Sequence, residues 1–169
     1  LLDDLYMDDT VDMLEELPAN LVKRILATVS ASDRSMINQL LNYPEDSAGS
    51  IMNVEYIALR KEMTVEESIL KIRQVGLNRE TIYTCYVTER RKLVGIVSAK
   101  DLMTTDDNVP IKDLMETEII SVYTHADQEQ VAQLFTKYDL LALPVIDQDG
   151  RMVGIVTFDD AMDVMVDEA

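Results

Sequence analysis

This chain has one cysteine, one histidine, no tryptophan and no apolar run near the roughly eighteen residues that a membrane span requires. A lone Cys85 inside a strand-like stretch can form no disulfide within the chain and reads as a small buried thiol, with a reducing compartment as the default. Zinc prefers cysteine and histidine, so a chain offering only Cys85 and His125 is a poor zinc binder; His125, alone before a predicted helix, reads as exposed or capping. No Ser/His/Asp set is assembled and the cysteine has no motif partner, so no enzyme is expected. The start, Leu1-Leu2-Asp3-Asp4, lacks the basic and apolar regions of a signal peptide, so neither insertion nor secretion is expected. Positive charge is scarce too. Against 32 Asp and Glu stand 15 Lys and Arg, and the net charge of −17 argues against partners that are nucleic acid or anionic lipid.

What is present is a repeat. Leu93-Val94-Gly95-Ile96-Val97-Ser98-Ala99-Lys100-Asp101 returns as Met152-Val153-Gly154-Ile155-Val156-Thr157-Phe158-Asp159-Asp160. Each copy is a Gly-bearing strand, then a hydroxyl residue suited to cap a helix, then an Asp in its first turn. Upstream of each lies a strand (Thr84–Val87, Leu143–Asp147) reached by a polar turn, Glu89–Lys92 or Gln148–Arg151, the second with an Asp-Gly hairpin signal. Further upstream are amphipathic helices, Thr64–Val75 and Asp127–Tyr138, and before them the strands Tyr56–Leu59 and Ile119–Val122, each a few residues after a Met, Met52 or Met115. The unit is strand, helix, strand, strand, helix, with a period of about sixty residues. Tandem units of this order, closed by Gly-Ile-Val-Ser/Thr-x-x-Asp, resemble a pair of cystathionine-β-synthase (CBS) domains over Ala48 to Asp167.

Residues 1–47 lack Gly and strand alternation and read as short helices: Asp8–Leu17, Asn20–Val29, and Ser32–Leu41 capped by Ser32 or Asp33. Such helices cannot bury their faces alone and fit the end of a helical repeat stack. Pro44–Ser50 reads as a turn-rich linker. The fold class is therefore mixed α+β, a short α-helical superhelix segment followed by a tandem CBS (βαββα) pair, with domains at 1–47, 48–108 and 109–169. An acidic helical segment, then Tyr43-Pro44-Glu45-Asp46-Ser47-Ala48-Gly49-Ser50-Ile51-Met52, then two CBS units, resembles the cytosolic part of MgtE-type magnesium transporters. Glu80–Tyr83, Asp127–Val131, Leu143–Val145 and Asp159–Val164 resemble the family too. The resemblance implies a Mg²⁺-sensing regulatory module, a homodimer through its CBS faces at the cytoplasmic face of the cell membrane. Its further partner would be a transmembrane pore domain, absent from this stretch.

Charge is unevenly spread. Residues 1–50 carry ten acidic and three basic side chains, 51–100 six and nine, and 101–169 sixteen and three. On a helix from Thr157, Asp160, Asp163 and Asp167 share a face and Asp159 joins Asp163, a stripe that wants solvent or a cation. Asp8 and Asp12 repeat the i,i+4 spacing; Asp127 and Glu129 open a helix, where they also fit dipole capping. Mg²⁺ suits such sites because it takes oxygen ligands and keeps several waters. The resemblance implies that Asp8, Asp12 and Asp160 share one ion, that Asp139 and Asp163 form a second group, and that Asp127 and Glu129 belong to a third. The competing ligand is ATP or another adenosine nucleotide. CBS pairs often hold one with the Asp of the Ser/Thr-x-x-Asp close; Ser98 and Asp101 match, with Tyr83 and Lys100 beside them, and Thr157 and Asp160 match again. No Gly-rich phosphate loop is present, and Ser98 and Thr157 also fit plain helix caps.

Overall fold

The computed structural model describes residues 19–76 and 82–168. The predicted helix Asp8–Leu17 lies outside them. Helices α1 (Ala19–Thr28) and α2 (Ala31–Leu40) come first, and α2 is capped by Ser30, whose Oγ accepts the Asp33 N–H at 3.3 Å, rather than by Ser32 or Asp33. Ser30 wins because its extended backbone leaves the hydroxyl beside the free amides of the first turn, while Asp33 already sits inside that turn. A one-turn helix α3 (Ala48–Ile51), capped by Ser47, occupies the stretch expected to be linker.

The two CBS-like units then repeat one plan. In the first, β1 (Ala58–Leu59) leads through α4 (Val65–Val75) to β2 (Thr84–Glu89), β3 (Lys92–Ser98) and α5 (Ala99–Thr104). The second runs β4 (Val122–Tyr123), α6 (Gln128–Tyr138), β5 (Ala142–Ile146), β6 (Met152–Thr157) and α7 (Phe158–Glu168). Each sheet has its middle strand parallel to the first and antiparallel to the third, and each carries a bulge at the equivalent place, Val87/Thr88 and Val145/Ile146. Thr64 and Glu67 form a capping box on α4, and Asp127 caps α6 by accepting the Gln130 N–H at 2.8 Å. Pro144 is accommodated mid-sheet because β4 pairs only with Val145 and Ile146.

The units are joined by an exchange. Asn53 pairs with Ile155 of β6 through two bonds of 2.7 and 2.8 Å, and Glu116 pairs with Ile96 of β3 through two of 2.8 and 3.0 Å. Each crossing strand brings its Met onto the glycine of the opposite unit. A Cβ on Gly154 would sit 2.9 Å from Met52 Sδ, and one on Gly95 would sit 2.6 Å from Met115 Sδ. Hence the repeated Gly and the repeated Met are two halves of one contact.

The N-terminal helices do not stand apart from this body. Ala19, Val22, Leu26 and Ile37 are buried in one cluster with Val131, Phe135, Leu143, Val145, Val156 and Ala161 of the second unit, and α1 packs against β6. A second cluster, with Leu59, Val65, Cys85, Val97 and Leu102, fills the first unit. Cys85 is fully buried, and burial pushes its thiol up to about 12. No helix among the described residues is long and apolar enough to cross a membrane.

Candidate functional site

Equivalent backbone bonds put the ends of the two repeats in register. Ala99 N–H donates to Tyr83 O and Phe158 N–H to Leu141 O, both at 2.9 Å. Asp101 N–H donates to Ser98 Oγ at 3.0 Å and Asp160 N–H to Thr157 Oγ1 at 3.2 Å. Tyr83 therefore corresponds to Leu141, Lys100 to Asp159, and Asp101 to Asp160. The frameworks match while the chemistry diverges. The first offers an aromatic ring, 64% exposed, with a cation and a carboxylate; the second offers an aliphatic side chain with two adjacent carboxylates. Only the first has a charge for a phosphate; the second keeps a partly exposed aromatic ring, Phe158, but no cation beside it.

On the second unit, Asp159 and Asp163 are exposed and Asp160 is half-buried, all on α7. Asp139 is brought toward the start of that helix. It occupies a left-handed position (φ 52°) just past α6, and the Phe135 and Phe158 rings meet edge to face at 5.7 Å, tying the end of α6 to the beginning of α7. Asp127 and Glu129 sit at the other end of α6, twelve and ten residues before Asp139, which is about 15–18 Å along the axis. The acidic candidates thus split into two places, and Asp127 already spends one oxygen on capping. Among the described residues no group of three or more His, Cys, Asp or Glu is assembled. Asp8 and Asp12 lie outside the described residues, seven positions or more ahead of Ala19. His125 is exposed, with Nδ1 at 3.0 Å from Thr124 Oγ1 and its ring edge-on to Tyr43.

The connection at 44–50 differs from a free linker. Ala48 N–H donates to Ala126 O at 2.8 Å and Gly49 N–H to Thr124 O at 2.7 Å, anchoring α3 to the second unit, while Ser47, Ala48 and Gly49 are buried. Arg34 of α2, whose guanidinium is driven below its ordinary pKa by burial, donates through Nη2 to the carbonyls of Gly49 (2.9 Å) and Met52 (3.2 Å) and through Nε to Asn38 Oδ1 (2.9 Å). Asn38 Nδ2 in turn donates to Ser50 O at 3.0 Å. Arg34 and Asn38 were missed from the sequence. Their only signal is the i,i+4 spacing on one helix face, which does not reveal that orphan carbonyls wait opposite.

Repeated βαββα units that exchange strands and hold polar groups at equivalent strand-to-helix turns define a tandem CBS module. The CBS domain family model matches at 48–107 and 111–167, and the MgtE intracellular N domain model at 1–46. Magnesium transporter MgtE of Thermus thermophilus is 40% identical over 168 residues, covering 96% of this chain and 37% of that protein. A solved structure described as the soluble part of a magnesium transporter is 38% identical, with a TM-score of 0.75, covering 98% of this chain and 65% of that one. Another, the cytosolic domain of the Mg²⁺ channel MgtE in complex with ATP, is 34% identical with a TM-score of 0.72, covering 96% of this chain and 77% of that one. The chain belongs to the MgtE family, matching its N-domain and CBS region. It spans a little over a third of the length of the curated transporter it matches.

Proposed function

We propose that this chain is the cytosolic Mg²⁺-sensing module of a magnesium transporter, with 1–47 as the end of an acidic helical domain and CBS units at 48–108 and 109–169. The observation that carries this reading is the exchange of Lys100 for Asp159 on matched frameworks, which turns the second unit's cleft from one suited to anions into one suited to cations. Asp8 and Asp12 share an ion with Asp160, and Asp139 with Asp163; Asp127 and Glu129 form a further site completed by residues beyond this stretch. Mg²⁺ needs only one or two carboxylates per site, its remaining positions being water. Weak sites acting together then shift the closed population more steeply than one tight site.

In the arrangement described, α1 and α2 share the second unit's core. The ion-dependent contact lies between the acidic residues ahead of Ala19 and the α7 face. Bridging compacts the module and closes the pore of the whole transporter when Mg²⁺ is plentiful. The module works as a homodimer through CBS helices that leave Leu70, Met103, Tyr138 and Phe158 exposed. Scattering at matched ionic strength tests the mechanism: a few millimolar MgCl₂ should compact the wild type but not Asp12→Asn/Asp160→Asn. Equal compaction by KCl would leave charge screening as the whole effect. A second reading, an adenosine nucleotide at Tyr83, Lys100 and Asp101, is favoured by the exposed ring beside the cation; ATP titration of Lys100→Gln should show weakened binding.

A further inference from the structure

In a chain of net charge −17, the turn Arg90-Arg91-Lys92 is a local reversal of sign. None of these three side chains has a carboxylate partner among the described residues, although their neighbours do: Lys61 pairs with Glu89 at 3.1 Å and Arg151 with Asp149 at 3.9 Å. Arg90 and Arg91 form a two-residue hairpin turn with φ of 52° and 72°, where Asn-Gly would be relaxed and arginine is strained. The second unit holds this turn in place, with Met152 N–H donating to Arg91 O at 2.9 Å and Leu93 N–H to Gly150 O at 3.3 Å.

Beside the turn is a cavity of about 100 Å³ lined by Lys23, Tyr56, Ala58, Thr88, Arg91 and Met152. Lys23 comes from α1, with Nζ 4.2 Å from the centroid of the Tyr56 ring, which holds the ammonium at the cavity wall. Tyr86, the register partner of Ala58 and on the same sheet face as Thr88, is fully buried, and its hydroxyl has no hydrogen-bond partner among the described residues. Two cations from distant parts of the chain therefore line one small space together with Thr88 and Tyr56. The size suits one tetrahedral oxyanion.

We propose that this pocket binds a phosphate-class anion, inorganic phosphate or a phosphomonoester, gripped by the Arg91 fork and the Lys23 ammonium. The anion bridges α1 to the β2–β3 hairpin, so it braces the N-terminal helices against the CBS pair at a place separate from both the acidic α7 face and the Tyr83–Asp101 cleft. The test is calorimetric titration of the whole 169-residue chain with inorganic phosphate, without Mg²⁺ and at constant ionic strength. Saturable binding is expected, weakened about tenfold by Arg91→Gln and by Lys23→Met, and unchanged by Lys100→Gln. Parallel sedimentation uses phosphatidylcholine vesicles with and without phosphatidic acid. Retention on the phosphatidic acid vesicles that is lost in Arg91→Gln assigns the anion to a lipid headgroup; phosphate binding without such retention assigns it to a soluble anion. A titration that never saturates, or one identical in Arg91→Gln and wild type, overturns the proposal. Because Mg²⁺ is absent, its failure leaves the cation-sensing reading untouched.

Discussion

Gly95 and Gly154 occupy the same position of the repeat, yet they do not tolerate the same substitution. At Gly154 an added methyl would meet the Asn53 carbonyl at 2.8 Å as well as Met52, and that carbonyl is pinned by its bonds to Ile155. At Gly95 all three nearest atoms belong to the Met115 side chain, and the two closest, Sδ and Cγ, can rotate away. Gly154→Ala should cost about 3 kcal/mol and Gly95→Ala about 1 kcal/mol in urea denaturation, the upper and lower ends of ordinary overpacking. Equal costs would mean that the backbone contact is unimportant. Burial also raises Cys85 and Tyr43 to about 12, from 9.0 and 10.0. A group whose folded pKa exceeds its unfolded value stabilises fully below the unfolded pKa and loses that contribution as pH rises toward the folded one. The melting temperature should therefore be insensitive to these groups below about pH 9 and fall between about 9 and 12. Cys85→Val should delay the onset toward about pH 10.

At the scale of elements, α3 is the piece that looks dispensable and is not. Four residues make too short a helix to persist alone, and this one is held by bonds from outside it: Arg34 and Asn38 cover its last carbonyls while its first amides reach Ala126 and Thr124. Arg34→Ala should cost about 3 kcal/mol, because charge-assisted bonds are lost and half-buried carbonyls are left bare. Arg34→Lys should recover little, since an ammonium cannot span both carbonyls as the fork does. Amide exchange gives an independent readout. Ala48 and Gly49 should be protected in the wild type and exchange readily in Arg34→Ala; readily exchanging amides in the wild type would restore the free-linker picture.

For the whole molecule, the decisive fact is that α1 and α2 complete the second unit's core instead of forming a detached arm. A chain shortened to begin at Pro44 would uncover the faces that Ala19, Val22, Leu26 and Ile37 bury, each of the large ones worth about 2 kcal/mol. It should melt well below a chain that begins at Pro18, by about 10 °C or more, or else self-associate. Matching melting temperatures with no change in oligomeric state would contradict the shared core.

The unit order, its period and its capping residues were legible from the sequence because they are local. Hydroxyl caps, a Gly-bearing strand and a helical face each write themselves into a few adjacent residues, and duplication prints them twice. The difference between Lys100 and Asp159 was equally present in the aligned repeat, but it acquired meaning only when matched backbone bonds put both side chains on equivalent frameworks. Other features depend on residues far apart in the chain. Arg34 becomes a staple only once Gly49 and Met52 present their carbonyls to it, and α1 belongs to the second unit only because the β6 face is apolar where α1 lands. Hydrophobic burial has no direction, so an amphipathic helix announces that it needs a partner without saying which. Tertiary packing made that choice.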